Sequence, residues 1–202
     1  MPRYSSRGTP EARRARLEEH SSETDPSVVL KAAARYLESR SHSVAEVRRH
    51  LATARFPEAL VEQAIARLLE LHLLDDVHFA QSWVESRDRA RPRGSQALRR
   101  ELSLKGIDRE VIDEVLVARR EVDADPDDRS GGSWALGPTD GPEPGSPDRR
   151  AAERLLRKSA ATLARVSDPR LRRQRAYGLL ARNGFDPDIC REVSASPSDS
   201  DG

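Results

Sequence analysis

The chain has 202 residues, of which 34% are charged and only 36% hydrophobic, with a net charge of +1. Such a lean composition argues against one large globular core, and no apolar run approaches the roughly 20 residues needed to span a bilayer. The single cysteine, Cys190, excludes an intramolecular disulfide framework and a cysteine-rich zinc site. With no apolar signal-peptide core at the N-terminus, the expected compartment is a reducing cytoplasm.

Residues 1–26 are polar and read as a disordered arm, with a helix-compatible pattern only around Glu11 to Glu19. From Ser27 the apolar spacing becomes helical, with Val29, Leu30, Ala33 and Leu37 on one stripe. Ser43 followed three residues later by Glu46 is a capping box that opens a second helix burying Val47 and Leu51. Phe56-Pro57 starts a third helix carrying Leu60, Val61, Ala64, Ile65 and Leu68, so residues 27–74 form a three-helix repeat. Asp75-Asp76 caps the next helix, with Phe79, Ala80, Trp83 and Val84, which closes before Pro92. Two short helices follow across Lys105-Gly106-Ile107, completing a second repeat over residues 75–121. Gly106 suits the left-handed position just past a helix end.

Residues 122–147 are rich in Asp, Gly, Pro and Ser and read as a flexible acidic linker, with Trp134 its only large apolar residue. Asp148, Asp168-Pro169 and Asp186-Pro187 then open three more helices, giving a third repeat over residues 148–193 and a disordered tail over 194–202. The fold class expected is all-α: three tandem three-helix repeats in an extended, modular arrangement, with disordered termini and a disordered acidic linker.

The repeat is visible by subtraction. Adding 51 to Val47, Leu51, Phe56, Leu60, Val61, Ala64 and Ile65 gives Leu98, Leu102, Ile107, Val111, Ile112, Val115 and Leu116. Arg48 and Arg49 map by the same offset onto Arg99 and Arg100. A further offset of 78 carries Leu102, Gly106, Ile107 and Ile112 to Leu180, Gly184, Phe185 and Cys190.

Known chemical motifs are missing. The sequence has no Gly-rich phosphate loop, no HExxH and no serine nucleophile elbow. His72, Asp75, Asp76 and His78 have ligand chemistry, but they fall at a helix junction where a carboxylate caps and the histidines face solvent. His20, His42 and His50 read as isolated and polar-faced. The expectation is a non-enzymatic protein with no catalytic residue, metal or cofactor. Charge is the remaining signal. Residues 87–105 carry seven basic and two acidic side chains, and residues 148–175 ten and three. Arg87, Arg89, Arg91, Arg93, Arg99, Arg100 and Lys105 are the leading partner-binding candidates, with Arg48, Arg49, Arg172 and Arg173 beside them. Arginine serves phosphates and acidic protein surfaces equally, so charge alone leaves the partner class open.

Three segments, LLDDVHFAQSWV (residues 73–84), RPRGSQALRRELSLKGID (91–108) and LLARNGFDPDICREV (179–193), resemble the RecX family of regulators of the RecA recombinase. The resemblance spans residues 27–193 apart from the linker, and its most specific part is the middle repeat. It implies three tandem three-helix repeats and a monomeric modulator that lies along a RecA–DNA filament, limiting filament growth, ATP turnover and strand exchange. Arg87, Arg93, Gly94, Lys105 and Gly106 match the middle-repeat motif, while Asn183, Gly184 and Phe185 match the turn of the third. Gly94, Gly106 and Gly184 are the expected structural turns. The alternative partner is single- or double-stranded DNA bound without RecA. The acidic linker is longer than the family pattern needs, and it would let the third repeat reach another filament subunit.

Overall fold

A computed structural model describes residues 9–122 and 146–195. The first eight residues, the tail from 196, and the linker interior with Trp134 lie outside the described residues. Every regular element among the described residues is an α-helix, and they form two compact units. One takes the residues up to Phe79 together with Lys105–Ile107, and the other takes Ala80–Leu104 and the residues from Asp108 onward.

The first unit contains α1 (Pro10–Ser21), α2 (Pro26–Leu37), α3 (Val44–Thr53), α4 (Glu58–Glu70) and the first turn of α5 (Asp76–Ala90). Its helix starts follow the local sequence. Asp25 caps α2 by accepting from the Ser27 amide, with Pro26 at the first helical position. Ser43 and Glu46 form the expected reciprocal capping box on α3. Val29 and Ala33 from α2, Val47 and Leu51 from α3, and Val61, Ala64, Ile65 and Leu68 from α4 then meet in one core, closed by Phe56 and Leu74. Asp75 caps α5 through the His78 amide at 2.9 Å, while Asp76 accepts from the Val44 amide at 2.9 Å.

The expected disordered arm contains a helix. Thr9 caps α1, Pro10 starts it, and Arg14 pairs with Glu18 one turn on. No residue of α1 is buried within a core. Its anchor is His20, whose ring stacks on Phe56 at 4.1 Å and whose Nδ1 lies 3.0 Å from the Ala54 carbonyl oxygen. His42 and His50 also depart from the polar-faced reading. They stack on opposite sides of Tyr36 at 3.8 and 3.9 Å. Burial lowers the pKa of both.

The second unit holds the rest of α5 with α6 (Ser95–Leu104), α7 (Arg109–Val122), α8 (Pro147–Ala164), α9 (Pro169–Arg182) and α10 (Pro187–Ala195). Leu98 and Leu102 of α6, and Ile112, Val115 and Leu116 of α7, are buried as their spacing predicts. Ser146, not Asp148, caps α8: it accepts from the Arg149 amide, and Asp148 is left free to face elsewhere in the first turn. Ala151, Ala152, Leu180, Phe185, Ile189, Cys190 and Val193 form the core of the third repeat. Burial pushes the Cys190 thiol pKa up, away from reactivity.

Each repeat turns the same corner. Arg55, Gly106 and Gly184 stand at the offsets of 51 and 78, and their φ angles are 65°, 80° and 78°. Each is followed by a buried apolar residue: Phe56, Ile107 or Phe185. The Phe56 amide donates to the Leu51 carbonyl at 3.3 Å and the Phe185 amide to the Leu180 carbonyl at 3.4 Å, the six-residue closure of a Schellman turn. In the first repeat an arginine occupies this left-handed position, where a side chain is strained and glycine is not.

Gly94 is a position of close approach, not a positive-φ turn. Its amide donates to the Asn183 carbonyl at 3.0 Å, and a Cβ there would run into the Gly184 carbonyl. Helices α8–α10 are therefore packed within the same compact unit as most of the second repeat. The linker interior, and with it the expectation that the linker's length lets the third repeat reach another filament subunit, lies outside the described residues.

Candidate functional site

The structure divides the predicted basic residues into two groups. Lys105 is committed within the first unit: its Nζ donates to Glu46 at 2.6 Å, and its carbonyl accepts from the Ser43 hydroxyl at 2.6 Å. Arg40 donates to the same carboxylate at 3.3 Å. Burial would raise the Glu46 pKa, but the bonds from Lys105 and Arg40 outweigh it and hold the carboxyl at about 2.

Arg87 lies over the Trp83 ring at 4.3 Å and donates to Glu101 at 2.6 Å. The Trp83 indole N–H donates to the same Glu101 oxygen at 2.9 Å. Arg93 sits 3.4 Å from the other Glu101 oxygen and donates to the Asn183 side chain. Both matched motif arginines of the middle repeat are thus half-buried and hold helices together. Arg99 pairs with Asp113, and Arg48 makes a two-pronged pair with Glu62 at 2.7 and 2.9 Å. These two pairs are one interaction repeated, because 48 and 62 plus 51 give 99 and 113. The shared offset of the acids was available in the sequence and would have marked Arg48 and Arg99 as bridges between helices.

A buried cation went unpredicted. Arg119 of α7, with a side chain only 6% exposed, grips Asp88 of α5 with two bonds of 2.8 and 2.9 Å and Asp148 of α8 at 2.6 Å. Burial opposes its charge, but the bonds and charges of Asp88 and Asp148 prevail, and its pKa is raised. The signal was its position: Arg119 follows Ile112, Val115 and Leu116 on the apolar stripe of α7, where a cation needs buried acids.

What remains open is a smaller set. Arg49, Arg91, Arg100 and Arg173 are exposed, and their side chains have no ion-pair partner among the described residues. Arg89 has only the exposed Glu85 at 3.5 Å, a pair that solvent screens. Arg172 is exposed, with its Nε donating to the Val166 carbonyl at 3.0 Å. Arg49 and Arg100 occupy equivalent positions of the first and second repeats. For the His72–His78 cluster, Asp75 and Asp76 are used as amide acceptors at the helix junction, as the capping account expects. No group of three His, Cys, Asp or Glu among the described residues is placed to hold a metal ion. None of their helices is long and apolar enough to cross a membrane.

Sequence models of the RecX family match at residues 30–68, described as the first three-helix domain, and 75–116, described as the second. A curated RecX regulatory protein of Mycobacterium avium is 30% identical over 159 residues, covering 79% of this chain and 78% of that protein. The chain belongs to the RecX family. A RecX regulatory protein of Streptomyces coelicolor is 31% identical over 77% of this chain and 71% of its own length. The RecX protein of Chlorobium phaeobacteroides is 40% identical, but the match spans 46% of this chain and 62% of that protein, less than two thirds of its length. The crystal structure of RecX from Lactobacillus salivarius shares the fold, with a TM-score of 0.63 at 21% identity over 83% of this chain and 93% of that one. The family models thus fall on the first two repeats, and Gly94, Lys105 and Gly106 of the matched middle repeat are the positions the packing cannot vary freely.

Proposed function

We propose that the protein is a non-enzymatic regulator that binds the RecA recombinase or its DNA filament in the cytoplasm and restrains filament assembly, ATP hydrolysis and strand exchange. RecX membership supports the regulatory class. The single observation that carries the reading is a recurrence: Arg49 and Arg100 hold the same basic position in consecutive three-helix repeats, and each is exposed and without an ion-pair partner among the described residues. A repeated cation suits a partner that itself repeats, as a filament does. Arg87, Arg93 and Lys105, each at a partly buried carboxylate, are assigned to holding helices and not to touching the partner.

Co-sedimentation of the full chain with pre-formed RecA–DNA filaments, compared with DNA alone, tests the reading. Pelleting with filaments well above the DNA control is the expected result. Arg49→Glu with Arg100→Glu should weaken both pelleting and suppression of RecA's DNA-dependent ATP hydrolysis. Equal pelleting with DNA alone would favour the second reading, a helical module that binds DNA without RecA.

A further inference from the structure

The first half of α9 stands clear of the core it belongs to. Residues 169–175 are all exposed, whereas Ala176 and Leu180 further along the helix are buried. Four of those seven residues are arginines: Arg170, Arg172, Arg173 and Arg175. Over residues 154–185 there are nine basic side chains and one acidic, Asp168. That carboxylate is already used as the α9 cap, accepting from the Arg170 amide at 2.8 Å. The side chains of Arg170, Arg173 and Arg175 have no ion-pair or hydrogen-bond partner among the described residues.

The arrangement of the four is what selects a partner. A helix advances about 100° per residue, so Arg170 and Arg173 share one flank, and Arg172 and Arg175 share another roughly 160° away. Leu171 and Gln174 lie between the flanks, opposite the buried direction set by Ala176 and Leu180. An acidic protein surface meets a helix from one side and would need its cations on one side. A polyanion that walls the helix on both sides needs cations on both. The major groove of duplex DNA admits one α-helix in a channel about 12 Å wide between two rows of phosphates. The groove of A-form RNA is too narrow for a helix.

We infer that the projecting half of α9 enters the major groove of duplex DNA, with Arg170 and Arg173 on one phosphate wall and Arg172 and Arg175 on the other. Leu171 and Gln174 then face the base edges, Gln174 as a hydrogen-bonding group and Leu171 as an apolar one. This deepens the proposed function by naming what the third repeat touches, and it rests on that reading only for its role in regulation. The contact itself requires no RecA.

The test is fluorescence anisotropy of the full chain with a labelled duplex over a salt series, with suppression of RecA ATP hydrolysis measured in parallel. Wild type, R170A/R173A, R172A/R175A and their lysine counterparts are compared. Each alanine double should lower duplex affinity about tenfold or more at fixed salt. Each should also flatten the slope of log affinity against log salt by about 2, at roughly 0.9 per phosphate contact. The lysine doubles should keep the slope. A loss confined to one flank, or wild-type binding without salt dependence, overturns the inference in favour of a one-sided acidic partner. No wild-type duplex binding overturns it outright. If suppression survives while the flanks prove silent, only the α9 contact falls. If duplex binding follows the prediction while suppression is absent, only the regulatory reading falls.

Discussion

Residues 87–105 and residues 165–175 look alike when charges are counted, but the fold treats them in opposite ways. In the first stretch Arg87, Arg93 and Lys105 each reach a carboxylate that is itself partly buried. In the second, Arg170, Arg173 and Arg175 have no partner among the described residues, and the helix turns that carry them are exposed. A cation paired in a half-buried place holds helices together; an unpaired one in water is left to bind something else. Local charge density alone therefore does not separate paired from available arginines, and within the first stretch Arg91 and Arg100 stay exposed without an ion-pair partner among the described residues. The partners that decide the matter lie far away in sequence, as with Arg87 and Glu101, Arg93 and Asn183, or Lys105 and Glu46.

The largest expected effect breaks or confirms that division. Arg119→Leu would leave Asp148 without its cation and Asp88 with only the longer Arg154 contact at 3.7 Å, at a cost of about 3–5 kcal/mol to the second unit. Arg173→Ala should stay within about 0.5 kcal/mol of wild type. Urea unfolding followed by tryptophan fluorescence measures both, and comparable losses in the two variants would abolish the distinction between structural and available arginines. Next comes Glu46, whose side chain is 12% exposed and whose carboxyl is held at about 2 instead of the usual 4.5. Because the folded value is the lower one, its stabilisation is complete above pH 4.5 and is lost as pH falls toward 2. The amount is about 2–3 kcal/mol. Amide exchange of α3 and α4 between pH 6 and 3 should show the loss in wild type, and Glu46→Gln should be weaker at pH 6 and nearly flat across that range.

The fold was legible because its rules are local. Ser43 with Glu46, Asp25 with Pro26 and Asp168 with Pro169 announced helix starts that the structure contains. The offset of 78 also paired two of the three corners, Gly106 and Gly184. At Arg55, propensity gave no sign of a left-handed residue; the repeat register alone marks it, by alignment with Gly106 and Gly184. The candidate site was less legible, for a physical reason. Whether an arginine is available depends on tertiary pairing, and neither Glu101 nor Asp148 is adjacent in sequence to what it neutralises. His42 was misread in the same way, since its stack on Tyr36 joins residues whose separation matches no local pattern.

Smaller effects sharpen the comparison inside the first stretch. Arg87→Ala removes a cation over Trp83 and one of the donors to Glu101, and should cost about 1–2 kcal/mol. Its signature is a shift in Trp83 emission, which a purely solvent-facing arginine would not produce.

The smallest difference is the most discriminating, because Arg99 and Arg100 are neighbours on one helix. Arg99 pairs with the exposed Asp113 and lowers its pKa through that hydrogen bond, an interaction that water and salt largely screen. Arg99→Ala should therefore move the melting temperature by less than about 2 °C, and Arg100→Ala should not move it at all. In filament co-sedimentation the order should reverse, with Arg100→Ala weakening binding more than Arg99→Ala. If Arg99→Ala is the one that weakens it, then the ion pair repeated at Arg48 and Glu62 orients the contact surface, and availability must be judged by pairing across the repeat rather than by exposure alone.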